Sequence, residues 1–157
     1  MKKGPYADPE LLKKIEAKGV KIAYLTLHIG LGTFRLVEVE DLSKHRMDSE
    51  YYEMSKESAD IINASILKRK KVIAVGTSVA RVLETNVITS RHVRWGKGWT
   101  DKFIYPPYEF KIVTRLITNF HMPASPSLLL TAAFAGRDIM FKAYKHAAKS
   151  GYRFLCY

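Results

Sequence analysis

Cysteine is nearly absent from the chain. Cys156 is the only one among 157 residues, so neither an internal disulfide nor a cysteine-built zinc site is available. Acids are scarce as well, 15 Asp and Glu against 26 Lys and Arg, for a formal charge of +11. No apolar run approaches the ~18–20 residues that span a bilayer, so no membrane role is expected. The opening Met1-Lys2-Lys3-Gly4-Pro5 is followed by no apolar core. No secretory signal is therefore read, and a soluble protein of the reducing cytoplasm is expected. G-x-x-x-x-G-K-[ST], G-x-G-x-x-G and a serine nucleophile elbow are all missing, so a P-loop, a dinucleotide fingerprint and a Ser/His/Asp triad are unsupported.

What is present is 47% hydrophobic and 11% aromatic, too apolar and varied for a disordered basic tail. Residues 1–157 read as a single domain with no linker or repeat. The excess positive charge attracts polyanions, with RNA, DNA, nucleotides and acidic lipid surfaces as candidates. The basic residues are scattered, and the tetrad Lys68-Arg69-Lys70-Lys71 reads as a solvated helix end.

Asp8-Pro9-Glu10 predicts a helix start, Leu11, Leu12 and Ile15 its buried stripe, and Gly19 its stop. Val20 to Leu27 predicts a strand covered on both faces, and Phe34 to Val39 a second one. Ser55 predicts a cap for a helix through Ala59, Ile62, Ile66 and Leu67. Val72 to Val75 reads as a buried strand, with a helix behind Gly76. Strands are predicted over 103–105, 110–113, 116–120 and 152–157, with Pro106-Pro107 forcing a turn. Ser125-Pro126 starts a helix that stops near Gly136; Asp138 is expected to cap another, stopped by Gly151. Strands and helices alternate, and the fold class is α/β, a sheet with helices packed on it.

Several residues can carry chemistry. Gly76-Thr77-Ser78 joins a strand to a helix, a turn that presents free N–H groups to a phosphate, carboxylate or ribose, or is a plain cap. His28 ends one predicted strand ahead of Gly30 and Gly32, and Asn119 and His121 end another. Ligands of open α/β sheets bind at such strand ends, although a core histidine fits either position alone. His45 and Asp101 are the remaining ligand types for a metal, without supporting spacing. Arg81 and Glu84, three apart, share a helix side and form either an exposed pair of little energy or, for Arg81, a reach towards the strand-end site. Glu50 and Asp101 could hold a ligand's cationic group or be solvated acids. Tyr51-Tyr52, Trp99 and Tyr105 to Tyr108 could stack on a base or pack in the core.

In order and spacing these segments resemble the C-terminal half of the S-adenosylmethionine:tRNA ribosyltransferase-isomerase family of queuosine biosynthesis. The matching stretches are Thr26 to Arg35 (TLHIGLGTFR), His45 to Tyr52 (HRMDSEYY), Val75-Gly76-Thr77 with Arg81 and Leu83-Glu84, and Thr100-Asp101 with Phe103 to Pro106. They continue with Leu116 to His121 (LITNFH), Pro123, Ser125, Ala133 to Arg137 (AFAGR) and Tyr152-Arg153-Phe154. The resemblance implies transfer and isomerisation of the ribosyl moiety of S-adenosylmethionine to 7-aminomethyl-7-deazaguanine in tRNA, giving epoxyqueuosine. S-adenosylmethionine is then a co-substrate, with no prosthetic group and no metal expected. The individual roles are inferred from side-chain chemistry: an ordinary histidine pKa of ~6.5 suits proton shuttling near neutrality, so His28 or His121 is expected in the acid/base role. Thr33, Thr77 and Asn119 bind hydroxyls or base edges, Arg81 and Arg137 a carboxylate or phosphate, and Asp101 or Glu50 a cationic group.

Family members also carry an N-terminal half with an inserted β-barrel domain, so the α/β domain is expected to be incomplete and possible partners include a separate N-terminal half. The family's histidine ahead of this region is replaced by Tyr6, and its terminal Gly-Asp-Ala-Met does not follow Tyr157. Ala124 and Pro126 stand where lysine and threonine are common, and Ala80 precedes Arg81 in a turn that departs from the usual one. The alternative function is a non-catalytic RNA- or nucleoside-binding module on the same scaffold.

Overall fold

Helices form where a cap, an apolar stripe and a stop coincide in the sequence. The computed structural model describes residues 8–30, 33, 35–88 and 91–155; Tyr6, Leu31, Gly32, Phe34, Cys156 and Tyr157 lie outside them. Helix α1 (Pro9–Ala17) begins as expected, Asp8 accepting the Glu10 N–H at 3.0 Å, and Gly19 follows with φ 81°. Its stripe is not buried, however. Leu11 is exposed and Leu12 and Ile15 are only half covered.

Helix α2 (Lys56–Leu67) is capped by Ser55 and buries Ala59 and Ile62, while Leu67 stands in solvent with the basic tetrad behind it. Helix α3 (Thr77–Asn86) starts at Gly76, whose φ of 98° suits a residue without Cβ. Helix α4 (Pro126–Ala135) is capped by Ser125 and ends at Gly136. That glycine also opens α5 (Arg137–Lys149), so Asp138 is a first-turn acid rather than the expected cap.

The strands depart further from expectation. Among the described residues they are β1 (Leu25–Leu27), β2 (Glu50–Met54), β3 (Ile73–Val75), β4 (Gly96–Thr100) and β5 (Arg115–Ile117). They form two sheets rather than one: antiparallel β1-β2-β4 and parallel β3-β5. The long run from Val20 thus yields only a short edge strand, open on one face. Likewise β3 buries only Ala74, leaving Ile73 and Val75 exposed.

No ladder forms over 35–39, where the Val37 N–H instead donates to the Ala124 carbonyl at 2.8 Å. None forms over 152–155 either; there Phe154 and Tyr152 pack their rings on Phe120.

Residues 103–105 and 110–113 are not strands, and over 111–113 a side chain takes the place of a ladder. Glu84 of α3, 2% exposed, accepts the backbone N–H groups of Lys111, Ile112 and Val113 at 2.9, 2.9 and 3.0 Å. A buried N–H must be paired, and here a carboxylate replaces the neighbouring strand. Tyr108 adds its hydroxyl to Glu84 at 3.2 Å; burial, then the carboxylate charge, push that phenol's pKa well up. The main core gathers around α3, with Ala80, Val82 and Leu83 against Ala74, Ile104 and Leu130.

Strands β2 and β4 hide in the sequence because one is acidic and aromatic and the other carries two glycines. Gly98 explains itself in the pairing. It lies opposite Tyr52, and a Cβ there would come within 2.7 Å of the Tyr52 hydroxyl and 2.9 Å of its ring. Gly98→Ala is therefore expected to displace the buried Tyr52 ring and lower stability by about 1–3 kcal/mol, measured by urea unfolding. A stability equal to or above that of the parent chain would show that the ring moves aside freely.

Candidate functional site

Glu50, the first of the inward-facing residues of β2, reaches Arg81 of α3. Glu50 (2% exposed) pairs there with Arg81 (5% exposed), Nη2 donating to Oε2. The other oxygen, Oε1, accepts the Gly30 N–H at 2.9 Å and the Thr33 hydroxyl at 2.5 Å. Arg81 Nη2 also lies 3.5 Å from Thr33 Oγ1. One carboxylate thus ties the glycine-containing segment after β1 to α3, and three predicted site residues meet in one cluster.

A guanidinium out of water is costly unless paired. Burial lowers the Arg81 pKa from its ordinary value, yet guanidinium remains protonated. Its Nη1 is buried and has no hydrogen-bond partner among the described residues. Arg81 also lines a cavity of about 10 Å³, room for one water, together with Thr33, Thr77, Ser78 and Ser127. Thr77 and Ser127, from the first turns of α3 and α4, join their hydroxyls at 3.0 Å. Two helix N-termini and an arginine donor unpaired among the described residues surround this point, donors whose chemical complement is an anionic or carbonyl oxygen.

The remaining predicted residues stand apart from that cluster. His28 is exposed just beyond β1, its ring tilted against Tyr51 with centroids 5.6 Å apart. His121 follows β5; its Nε2 lies 2.9 Å from the Thr118 hydroxyl, and its backbone N–H donates to Tyr144 Oη at 2.7 Å. The two imidazoles have different surroundings, and neither lines the cavity beside Arg81. Asn119 is half-buried two residues before His121, and Asp101 is exposed one residue beyond the Glu50 partner Thr100. Arg137 is exposed, its guanidinium 5.7 Å from the Phe141 ring. His45 packs on Phe103 at 4.5 Å, and no cluster of three or more metal-ligating side chains occurs among the described residues.

Arg81 and Glu84 are not the exposed pair that their spacing allows. Both are buried, and each has its own partners. Glu84 is the polar residue that spacing could not interpret, because its partners are backbone groups far away in the chain. Among the described residues, no helix is long and apolar enough to cross a membrane.

The family described as "Queuosine biosynthesis protein" matches residues 4–157. The chain is 57% identical to the S-adenosylmethionine:tRNA ribosyltransferase-isomerase of Chloroherpeton thalassium over 150 residues, which are 94% of this chain and 43% of the relative. It is 50% identical to the protein of that name from Halothermothrix orenii, covering 99% of this chain and 48% of the other. Its fold matches the crystal structure of an S-adenosylmethionine tRNA ribosyltransferase from Thermotoga maritima with a TM-score of 0.73 at 38% identity, over 95% of this chain and 47% of that one. The chain spans just under half the length of each.

Two measurements test the site. Glu50→Ala leaves the Arg81 charge buried alone and is expected to cost about 3–5 kcal/mol in unfolding free energy. Joint replacement by Glu50→Gln and Arg81→Met removes the stranded charge and is expected to recover a large part of this, and a double-variant loss as large as that of Glu50→Ala would show that the unpaired guanidinium is not what destabilises the chain. Burial lowers the His121 pKa, so between its folded and unfolded values the unfolded chain binds more protons. Stability is then expected to rise with pH through that window and to fall as pH drops below about 6.5, a dependence that His121→Gln reduces. An NMR titration placing the His121 midpoint at or above the ordinary histidine value would contradict this.

Proposed function

Because the chain belongs to the queuosine biosynthesis protein family, we propose that it forms the C-terminal part of a tRNA ribosyltransferase-isomerase. That enzyme would move the ribosyl moiety of S-adenosylmethionine to 7-aminomethyl-7-deazaguanine in tRNA and rearrange it to epoxyqueuosine. S-adenosylmethionine is a co-substrate in this reaction, and the cytoplasm, where tRNA is modified, is its setting.

The observation that carries the proposal on this chain is Arg81. It is a buried cation with one donor unpaired among the described residues, set beside hydroxyls at two helix N-termini. Such a site suits a carboxylate or ribose oxygen of a substrate. Thr33 and Thr77 flank it. Glu50 is a positioning residue, because both its oxygens are already occupied by Gly30, Thr33 and Arg81. Asp101, exposed one residue past β4, is then the carboxylate for a sulfonium or aminomethyl cation. Asn119 and the guanidinium of Arg137 serve hydroxyls and phosphate farther out.

The reaction needs a proton removed and returned. His121 is suited to accept one, since burial favours its neutral imidazole at pH 7. His28, in solvent beyond β1, is the other imidazole of the acid/base proposal. The relatives are twice as long, so the N-terminal half completes the site in cis or as a separate chain. A non-catalytic RNA- or nucleoside-binding module would use the same basic surface without releasing adenine.

The test mixes this chain, S-adenosylmethionine and tRNA bearing the 7-aminomethyl base, with and without the N-terminal half of a full-length relative, and measures adenine by chromatography. Release is expected in the complemented mixture, falling ~10²-fold or more in His28→Gln and His121→Gln. No release with a folded, complemented chain would favour the binding module. Near-normal rates in both histidine variants would remove the acid/base assignment.

A further inference from the structure

The antiparallel sheet has two faces, and only the inner one meets the core. Along β2 the side chains alternate, Glu50, Tyr52 and Met54 inward, Tyr51 and Glu53 outward. Register extends the outward set across the sheet. Glu53 lies between Thr26 and Lys97, and Tyr51 lies between His28 and Trp99. The result is a row of three rings, His28 to Tyr51 at 5.6 Å and Tyr51 to Trp99 at 5.4 Å. Beside it runs an ion-paired row, Lys97 Nζ 3.2 Å from Glu53 Oε1.

One further step of the alternation reaches Tyr24 and Trp95, which line a shared groove of about 750 Å³ with Thr26, Glu53 and Lys97. Tyr24 is 66% exposed, and Trp95 and Trp99 are each 64% exposed. These are the chain's only two tryptophans, a residue type normally well buried. They fall within a segment, 91–102, that carries Arg91, Arg94, Lys97 and Lys102 against the single acid Asp101.

From this we infer that the outer face of β1-β2-β4 is a stacking platform for unpaired bases of RNA. Exposed rings on a sheet face, interleaved with cations, hold single-stranded nucleic acid by stacking and by phosphate attraction. The two ring rows lie four residues apart along the strands, roughly 13–14 Å, so the platform serves separate bases of an extended strand. The middle row has its charges satisfied internally, Lys102 lies over the Tyr108 ring at 5.4 Å, and the exposed Arg91 and Arg94 are the cations for the backbone. The inference rests on the proposed function for RNA as the polymer, but it concerns the face opposite Glu50 and requires neither S-adenosylmethionine nor a modified base.

The test uses intrinsic fluorescence, which reports this face alone because both tryptophans lie on it. The chain is titrated with riboadenylate and ribouridylate decamers and with an unmodified tRNA transcript, and filter binding supplies a second readout. Saturable quenching that weakens with salt is expected. Trp95→Ala and Trp99→Ala are each expected to weaken binding about tenfold or more, and Trp99→Phe about threefold or less, since phenylalanine keeps a stacking face. Both positions are exposed, and unchanged circular dichroism verifies folding. Absence of quenching by all three RNAs at low salt overturns the proposal. So does alanine-variant affinity equal to the parent's, which would mean binding by charge alone. Protection of this face from hydrogen exchange by an added N-terminal half, with no competition from RNA, would assign it to that polypeptide instead. Adenine release could fail while quenching holds, and the reverse, so the two proposals stand or fall separately.

Discussion

An arginine and a glutamate held out of water against each other are the interaction on which this site depends. Removing two charges from solvent costs several kcal/mol per ion, and only close pairing with further hydrogen bonds offsets it. Glu50 meets that demand with both oxygens: Arg81 on one, the Gly30 N–H and the Thr33 hydroxyl on the other. An apolar pair of similar volume would hold α3 to β2 as well or better, but it would leave the segment after β1 with nothing to bind. The ion pair is therefore best understood as a device of position. It places Thr33 and the guanidinium at the mouth of the two helix N-termini, and no uncharged substitute could do both.

Helix α3 applies the same logic a turn later. Glu84 pairs with three consecutive backbone N–H groups and so anchors the chain leading into β5 without a ladder. The two acids hold different parts of the molecule to α3: Glu50 ties in the antiparallel sheet through Arg81, and Glu84, from the helix itself, ties in the chain leading to the parallel one. A helix with only 10 residues thereby organises both sheets. Its apolar side, Val82 and Leu83 with Ala80, supplies the burial that stabilises this arrangement.

How much of this could be read from the sequence depended on the range of the interaction. Ser55, Ser125 and Asp8 announce helices because a cap and the N–H it accepts lie within three residues of each other. Gly19 and Gly136 stop them by backbone conformation alone. Strands carry no comparable local mark. The apolar Val20 run reads as a central strand and is mostly not one, whereas Glu50 to Met54, where no strand is predicted, is the centre of a sheet. Glu50, Arg81, Thr33 and Thr77 were nameable as site residues from the resemblance. That they touch was not, because helical spacing places Arg81 beside Glu84 and says nothing of a strand elsewhere. Glu84 itself was misjudged for the same reason.

Pairing register also decides what the two faces of one strand can do. A slip of one residue along β2 would turn Glu50 out to solvent and put Tyr51 against α3, exchanging a buried counter-ion for a phenol and dismantling the ring row together with the cluster. Gly98 guards against that slip, since the Tyr52 ring fits only where the opposing residue has no side chain. The two faces are thus specified by one constraint. Glu50 and Tyr51 are neighbours in sequence, so the Arg81 cluster and the His28-Tyr51-Trp99 row lie at one level on opposite sides of the sheet. A polymer lying on the outer face does not cover the inner cluster, and the two faces communicate only by way of the segment after β1. That segment is the one Glu50 holds in place.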